Sequence, residues 1–119
     1  GIPPAREESL QEWLDAVTGE DCPAVLASHE GAVIGHALLV PDDTGAYELA
    51  IFVLRAYQGA HVGTELLETL LGHAIEQGIE RVWLTVERWN TPAVTLYERV
   101  GFETVEEGGL ELEMSIRLG

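Results

Sequence analysis

The stretch LRAYQGAHVGTELL, residues 54–67, leaves an apolar segment, passes a glycine-spaced turn and enters a leucine-rich helix. A strand that turns into a helix gathers unpaired backbone N–H groups at the helix start, where the helix dipole adds partial positive charge. Such a mouth suits an anion, phosphate above all. Gly59 and Gly63 would let the main chain come close to a ligand there. The same pattern also serves a plain tight connection, so the turn alone does not decide the chemistry. Other reactive residues say less. His29, His36, His61 and His73 show no metal-ligand spacing, and no metal site is expected. Ser9, Ser28 and Ser115 sit in no nucleophile context. Cys22, the single cysteine, has no internal disulfide partner and reads as a buried or half-buried bystander thiol.

The elements that would position this turn follow from pattern. Leu10, Trp13, Leu14 and Val17 fall at helical spacing and predict a helix over residues 5–19. PAVLASHE and AVIGHALLV read as strands joined through Glu30 and Gly31, a hairpin signal, and PDDTG reads as a turn. ELAIFVL, apolar on both faces after Glu48, predicts a strand central in a sheet. Beyond the glycine turn, Val62, Leu66, Leu67, Leu70, Leu71, Ala74 and Ile75 form one helical stripe, and Gly78 ends it. ERVWLTVE predicts another buried strand. In NTPAVTLYERVG, Thr91 or Asn90 can cap a helix, Pro92 suits its first position and Gly101 closes it. FETVEE and LELEMSIRL, split by Gly108 and Gly109, predict a last hairpin. Its second strand places Leu110, Leu112, Met114, Ile116 and Leu118 on one side, a face that could pair across a homodimer. Trp13, Trp83 and Trp89 read first as core or cleft-wall residues.

With 119 residues, 46% of them apolar, the chain is read as one domain, 1–119, of mixed α/β class. No apolar run is long enough to cross a bilayer and no export leader opens the chain, so a cytoplasmic location is expected and a membrane partner is not. The formal net charge of −15 is far outside the usual magnitude of ~2–8 for a small domain, and all six basic residues are arginines. At ~1 M salt the Debye length is ~3 Å and such self-repulsion is screened, which predicts a high-salt cytoplasm, that of a halophile. The rival is an acidic surface for a basic partner. Binding of nucleic acid through a basic face is excluded.

Two segments together resemble the GNAT superfamily of acetyl-CoA-dependent N-acyltransferases. The first is Gln58-Gly59-Ala60-His61-Val62-Gly63 after FVLRAY, similar to the family signature Q/R-x-x-G-x-G/A between a central strand and a long helix. The second is LTVERWNTPAVTLYERVGF, with Asn90, Ala93 and Tyr97 at matching spacing before Gly101 and Phe102. The resemblance covers the chain from about Val25 to the end. It implies a mixed, mostly antiparallel sheet flanked by helices and splayed at its central strands. His61 stands where the family has a glycine; its Cβ either crowds the pyrophosphate or demands an unusual φ, which histidine tolerates better than most residues. Family members usually begin with an extra strand and helix, which this sequence is expected to lack. Either the domain is trimmed at its N-terminus or a partner supplies that wall.

The resemblance implies acetyl-CoA as cosubstrate. Main-chain groups of Phe52 and Val53 would pair with the pantetheine amides, Asn90 would bond the pantetheine arm, and Ala93 belongs to the same motif. Amides of Gln58, Gly59, Ala60, His61, Val62, Gly63 and Thr64 would hold the pyrophosphate, at a range where salt does not screen them. An amine acceptor, a small molecule or a peptide, would attack the thioester directly. Such an amine, with a pKa near ~10, must first lose a proton. Glu48 is the first candidate base and Glu87 the second; Tyr97 would protonate the leaving thiolate, and a backbone N–H near Val53 would steady the oxyanion. A second reading, prompted by His61 and the absent N-terminal wall, is a non-catalytic acyl-CoA-binding or regulatory module on the same fold.

Overall fold

The computed structural model describes residues 14–18, 22–59 and 61–119. Its elements, in order, are β1 Leu14–Thr18, β2 Pro23–His29, β3 Ala32–Pro41, β4 Tyr47–Val53, one 3-10 turn Arg55–Tyr57, α1 Val62–Glu76, β5 Arg81–Glu87, α2 Thr91–Val100, β6 Glu103–Gly108 and β7 Glu111–Arg117. The strands form one sheet in the order β1-β2-β3-β4-β5-β7-β6. Every neighbouring pair is antiparallel except β4 and β5, which are parallel and joined through α1, as a parallel connection requires.

Local chemistry explains most boundaries. Glu30 and Gly31 both take positive φ, 53° and 82°, the geometry of a two-residue hairpin turn whose twist matches the flanking strands. The β3–β4 turn is built on Asp42, whose carboxylate accepts from the backbone N–H and hydroxyl of Thr44, both at 2.7 Å, and from Ala46 N at 3.2 Å. Asn90 caps α2, and Gly101, at φ 122°, closes it. There the N–H of Phe102 returns to Tyr97 O at 2.9 Å and that of Gly101 to Glu98 O at 3.1 Å. This paired closure brings Phe102 back onto Tyr97, the rings 5.9 Å apart and edge to face.

The core lies on one face of the sheet. Val62, Leu66, Leu67, Leu70, Leu71 and Ala74 of α1 are buried, chiefly over β2 and β3, where Val25, Ala27, Ala37 and Leu39 meet them. Each fully buried leucine contributes about 1.5–3 kcal/mol over an exposed one. Val82, Leu84, Val86 and Met114 extend this face under the second half of the sheet.

The structure corrects several expectations. Leu14–Thr18 is a strand paired antiparallel with β2, not the end of a helix, so the sheet has a strand ahead of the hairpin where none was expected; the rest of the expected helix lies outside the described residues. β4 is central, yet Glu48, Ala50 and Phe52 on its second face are exposed, and so are Thr85 and Glu87 of β5. Apolar residues on both faces therefore marked position in the sheet, not burial of both faces. Ile75 is 54% exposed although Ala74 beside it is fully buried, and Leu110 is 68% exposed in the last hairpin turn. Cys22 is exposed just ahead of β2. β7 is hydrogen-bonded on both sides, by β5 and β6, and so has no free edge for a second copy. The sheet edge at that end is β6, lined by exposed Glu103, Glu106 and Glu107, charges that oppose edge-to-edge pairing.

Candidate functional site

β4 and β5 pair at only two positions, Tyr47 with Val82 and Glu48 with Trp83, and then part. From Leu49 onward the edge of β4 that faces β5 has no strand partner. A cleft of about 590 Å³ opens beside this splay, between the start of α1 and the flank of α2. That volume lies within the range of small-molecule and cofactor sites.

The cleft gathers most of the residues singled out from sequence. Val53, Gln58, Gly59, His61, Gly63, Thr64, Asn90, Ala93 and Tyr97 all line it. Gly59 has φ 87° and His61 has φ 65° with ψ 11°, so two left-handed residues turn the chain into α1. The His61 side chain makes no capping hydrogen bond to the start of α1, and His61, Gly63 and Thr64 line the cleft there. The two motif glycines serve different ends. A Cβ on Gly59 would meet nothing within 4 Å, so glycine is there for its positive φ. A Cβ on Gly63 would sit 3.0 Å from Leu96 Cδ2, so glycine there lets α2 approach α1.

On the other wall, Asn90 Oδ1 accepts a long bond from Ala93 N at 3.4 Å, so the residue caps α2 while facing the cleft. Tyr97 is 8% exposed, and burial pushes its phenol above the ordinary tyrosine pKa of 10.0. At neutral pH it carries its proton, the state a donor needs.

Other expected residues stand elsewhere. Val62 is 1% exposed, so its side chain belongs to the core and only its backbone is at the helix start. The side chain of Phe52 is exposed on the opposite face of β4 and packs its ring against His36 at 5.8 Å. Its main chain, the part expected to act, belongs to the stretch of β4 that β5 does not pair. Ala60 lies outside the described residues. Glu48 does not line the cleft; it occupies the last rung before the strands part, on the face away from the helices. Glu87 is at the far end of β5, opposite Glu111. Trp89 is 60% exposed and lines no part of the cleft, whereas Trp83 donates Nε1–H to Asp42 Oδ2 at 2.8 Å.

Thr91, expected only as a cap, and Thr95 and Arg99, given no role from sequence, line the cleft together with Ile51, Pro92 and Leu96. The signal was present: Thr91, Thr95 and Arg99 recur every four residues and so share a face of α2. Arg99 brings a permanent cation to the wall of a cleft in a chain of net charge −15.

A family model described as acetyltransferase (GNAT) family matches residues 2–102. The chain belongs to the GNAT family. An uncharacterized N-acetyltransferase of Mycobacterium tuberculosis is 33% identical over 78 residues, 65% of this GNAT chain and 50% of the relative. An L-methionine sulfoximine/L-methionine sulfone acetyltransferase of Pseudomonas paraeruginosa is 29% identical over 99 residues, 78% of this chain and 58% of the relative. The GNAT fold is shared with a phosphinothricin acetyltransferase of Sinorhizobium meliloti solved in complex with acetyl-CoA, at TM-score 0.73 and 24% identity, over 82% of this chain and 62% of that one. The chain thus spans about half the length of the curated relatives first matched.

Proposed function

We propose that this GNAT chain carries the acetyl-CoA side of an N-acetyltransferase that moves an acetyl group onto a primary amine. The observation that carries the reading is the parting of β4 and β5 after two rungs, beside a cleft whose mouth is turned by Gly59 and His61. An unpartnered strand edge offers N–H and C=O groups to an amide-bearing chain such as pantetheine. The helix start suits the pyrophosphate, and Arg99 a further phosphate. Fixed amides and one guanidinium act at hydrogen-bond range, where the net negative charge of the chain matters little.

In the transfer, a C–N bond forms as the thioester C–S bond breaks. The amine gives up a proton and the thiolate takes one. Tyr97 is the donor to sulfur, on its place in the cleft and the proton it carries at neutral pH. Glu48 is the base preferred over Glu87, because it stands where the strands begin to part. The acceptor is a small-molecule amine of the amino-acid type, a class supported by the relative that acts on methionine sulfoximine.

The test is CoA thiol release from acetyl-CoA across a panel of amines, at low and multimolar salt, beside calorimetric titration with CoA. Turnover is expected in the wild type. Tyr97→Phe should lower kcat by about 100-fold, in the range of general acid–base effects, with CoA affinity nearly unchanged. CoA binding without turnover on any amine would favour the non-catalytic module, and absence of CoA binding would end the reading altogether.

A further inference from the structure

Tyr57 is the one buried side chain among the described residues between 54 and 61, at 5% exposure; its neighbours in the anion-binding turn are exposed. A buried phenol needs a hydrogen-bond partner. Tyr57 finds it across the fold: its hydroxyl lies 2.6 Å from Nδ1 of His29, at the end of β2, and the rings meet edge to face at 5.7 Å. Either tautomer completes this bond, Nδ1–H donating to the phenol oxygen or the phenol O–H donating to bare Nδ1.

The β2–β3 hairpin aims His29 at that point. Alternation along β2 puts His29 on the side of Val25 and Ala27, the side that carries α1. The tight turn at Glu30 and Gly31 holds His29 opposite Ala32. Ala27 pairs with Gly35 and Ser28 with Val33, so Ile34 is an extra residue, 2% exposed, and its carbonyl accepts Leu54 N at 2.8 Å. The hairpin thus grips the lead-in to the anion site twice, at Leu54 and at Tyr57. Within the lead-in, Tyr57 N returns to Leu54 O at 2.8 Å and Gln58 Nε2 to Val53 O at 3.0 Å. A turn closed on itself in this way takes its orientation from its attachments.

We propose that His29 is a positioning residue for the nucleotide end of the cleft. By holding the Tyr57 hydroxyl it orients the turn from which Gly59 and His61 enter their left-handed conformations and α1 begins. It lines no part of the cleft and acts on it through Tyr57. This inference rests on the phosphate-binding role proposed above.

Two measurements on the same variants separate it from that role: calorimetric titration with CoA, and hydrogen exchange of the amides of residues 58–64 without ligand. Tyr57→Phe keeps the ring and its packing and loses only the hydroxyl. It and His29→Ala should each weaken CoA binding by roughly fivefold to tenfold, the yield of one hydrogen bond. Exchange in 58–64 should quicken by a similar factor. The double variant should be no worse than either single one. His29→Asn, whose side-chain amide reaches where Nδ1 stood, should recover most of the loss. CoA affinity and exchange left unchanged by Tyr57→Phe would overturn the positioning role and leave the CoA reading standing. Wild-type protein that binds no CoA would overturn both.

Discussion

Gly63 stands in the turn proposed above to hold phosphate, yet its missing Cβ points at Leu96 of α2. Gly63→Ala tests which of these two demands the glycine. A Cβ would lie 3.0 Å from Leu96 Cδ2, about half an ångström inside an ordinary carbon–carbon contact of ~3.5–4.0 Å. Overpacking of this kind costs about 1–3 kcal/mol. Alanine in place of glycine in a helix returns at most about 1 kcal/mol, and less in the first turn. The net expectation is a loss of about 1 kcal/mol, near 4 °C in Tm for a domain of this size. In a Leu96→Ala background the colliding methyl is gone, and the same substitution should turn neutral or stabilising. The two changes are therefore coupled by about 1–2 kcal/mol in the favourable direction. Urea unfolding of the four proteins measures this coupling, and CoA titration follows in parallel. Affinity should recover together with stability in the double variant. Additive effects, with Gly63→Ala equally harmful with or without the Leu96 side chain, would refute the packing argument. Recovery of stability without recovery of CoA affinity would assign the glycine to the ligand instead.

Gly59→Ala probes the other motif glycine, where no neighbour is crowded and the cost is the left-handed backbone, about 1–2 kcal/mol. A Tm lowered by several degrees is expected, with weaker CoA binding; an unchanged Tm would contradict the conformational reading. Bonds from the Thr44 hydroxyl and N–H, then from Trp83 and Ala46, hold the Asp42 carboxyl at about 2, down from 3.8. A lowered folded-state pKa stabilises above the unfolded value and is lost as pH falls through the folded one. The Tm gap between wild type and Asp42→Asn should accordingly shrink from pH 4 to pH 2, and a constant gap would count against it. Arg99→Gln should weaken CoA binding roughly fivefold at low salt and by a similar factor at ~1 M, because a guanidinium–phosphate contact at hydrogen-bond range lies within the ~3 Å Debye length. Equal affinity of both proteins at low salt would remove Arg99 from the phosphate site.

Much of this architecture was legible because its signals are local. Glu30-Gly31 specifies a hairpin through two positive φ angles, Asn90, Pro92 and Gly101 bracket α2, and the stripe of α1 from Val62 to Ala74 follows from a period of 3.6 residues. The order of residues on the glycine turn likewise marked its relation to the helix it opens. What stayed hidden depends on segments far apart in the chain. That β7 lies between β5 and β6, that β4 and β5 part after two rungs, and that Phe52 faces away from the cleft are matters of register and neighbour, which spacing along one strand does not encode. Leu14–Thr18 shows the same limit: a pattern of helical spacing is paired as a strand because β2 offers a partner edge. Sequence alone determined the elements from Pro23 onward, their approximate boundaries and the residue types of the glycine turn. Only the tertiary structure decided that Leu96 fills the space at Gly63, that Arg99 faces the cleft and that His29 meets Tyr57, because such contacts arise when distant segments are brought within hydrogen-bond or van der Waals reach.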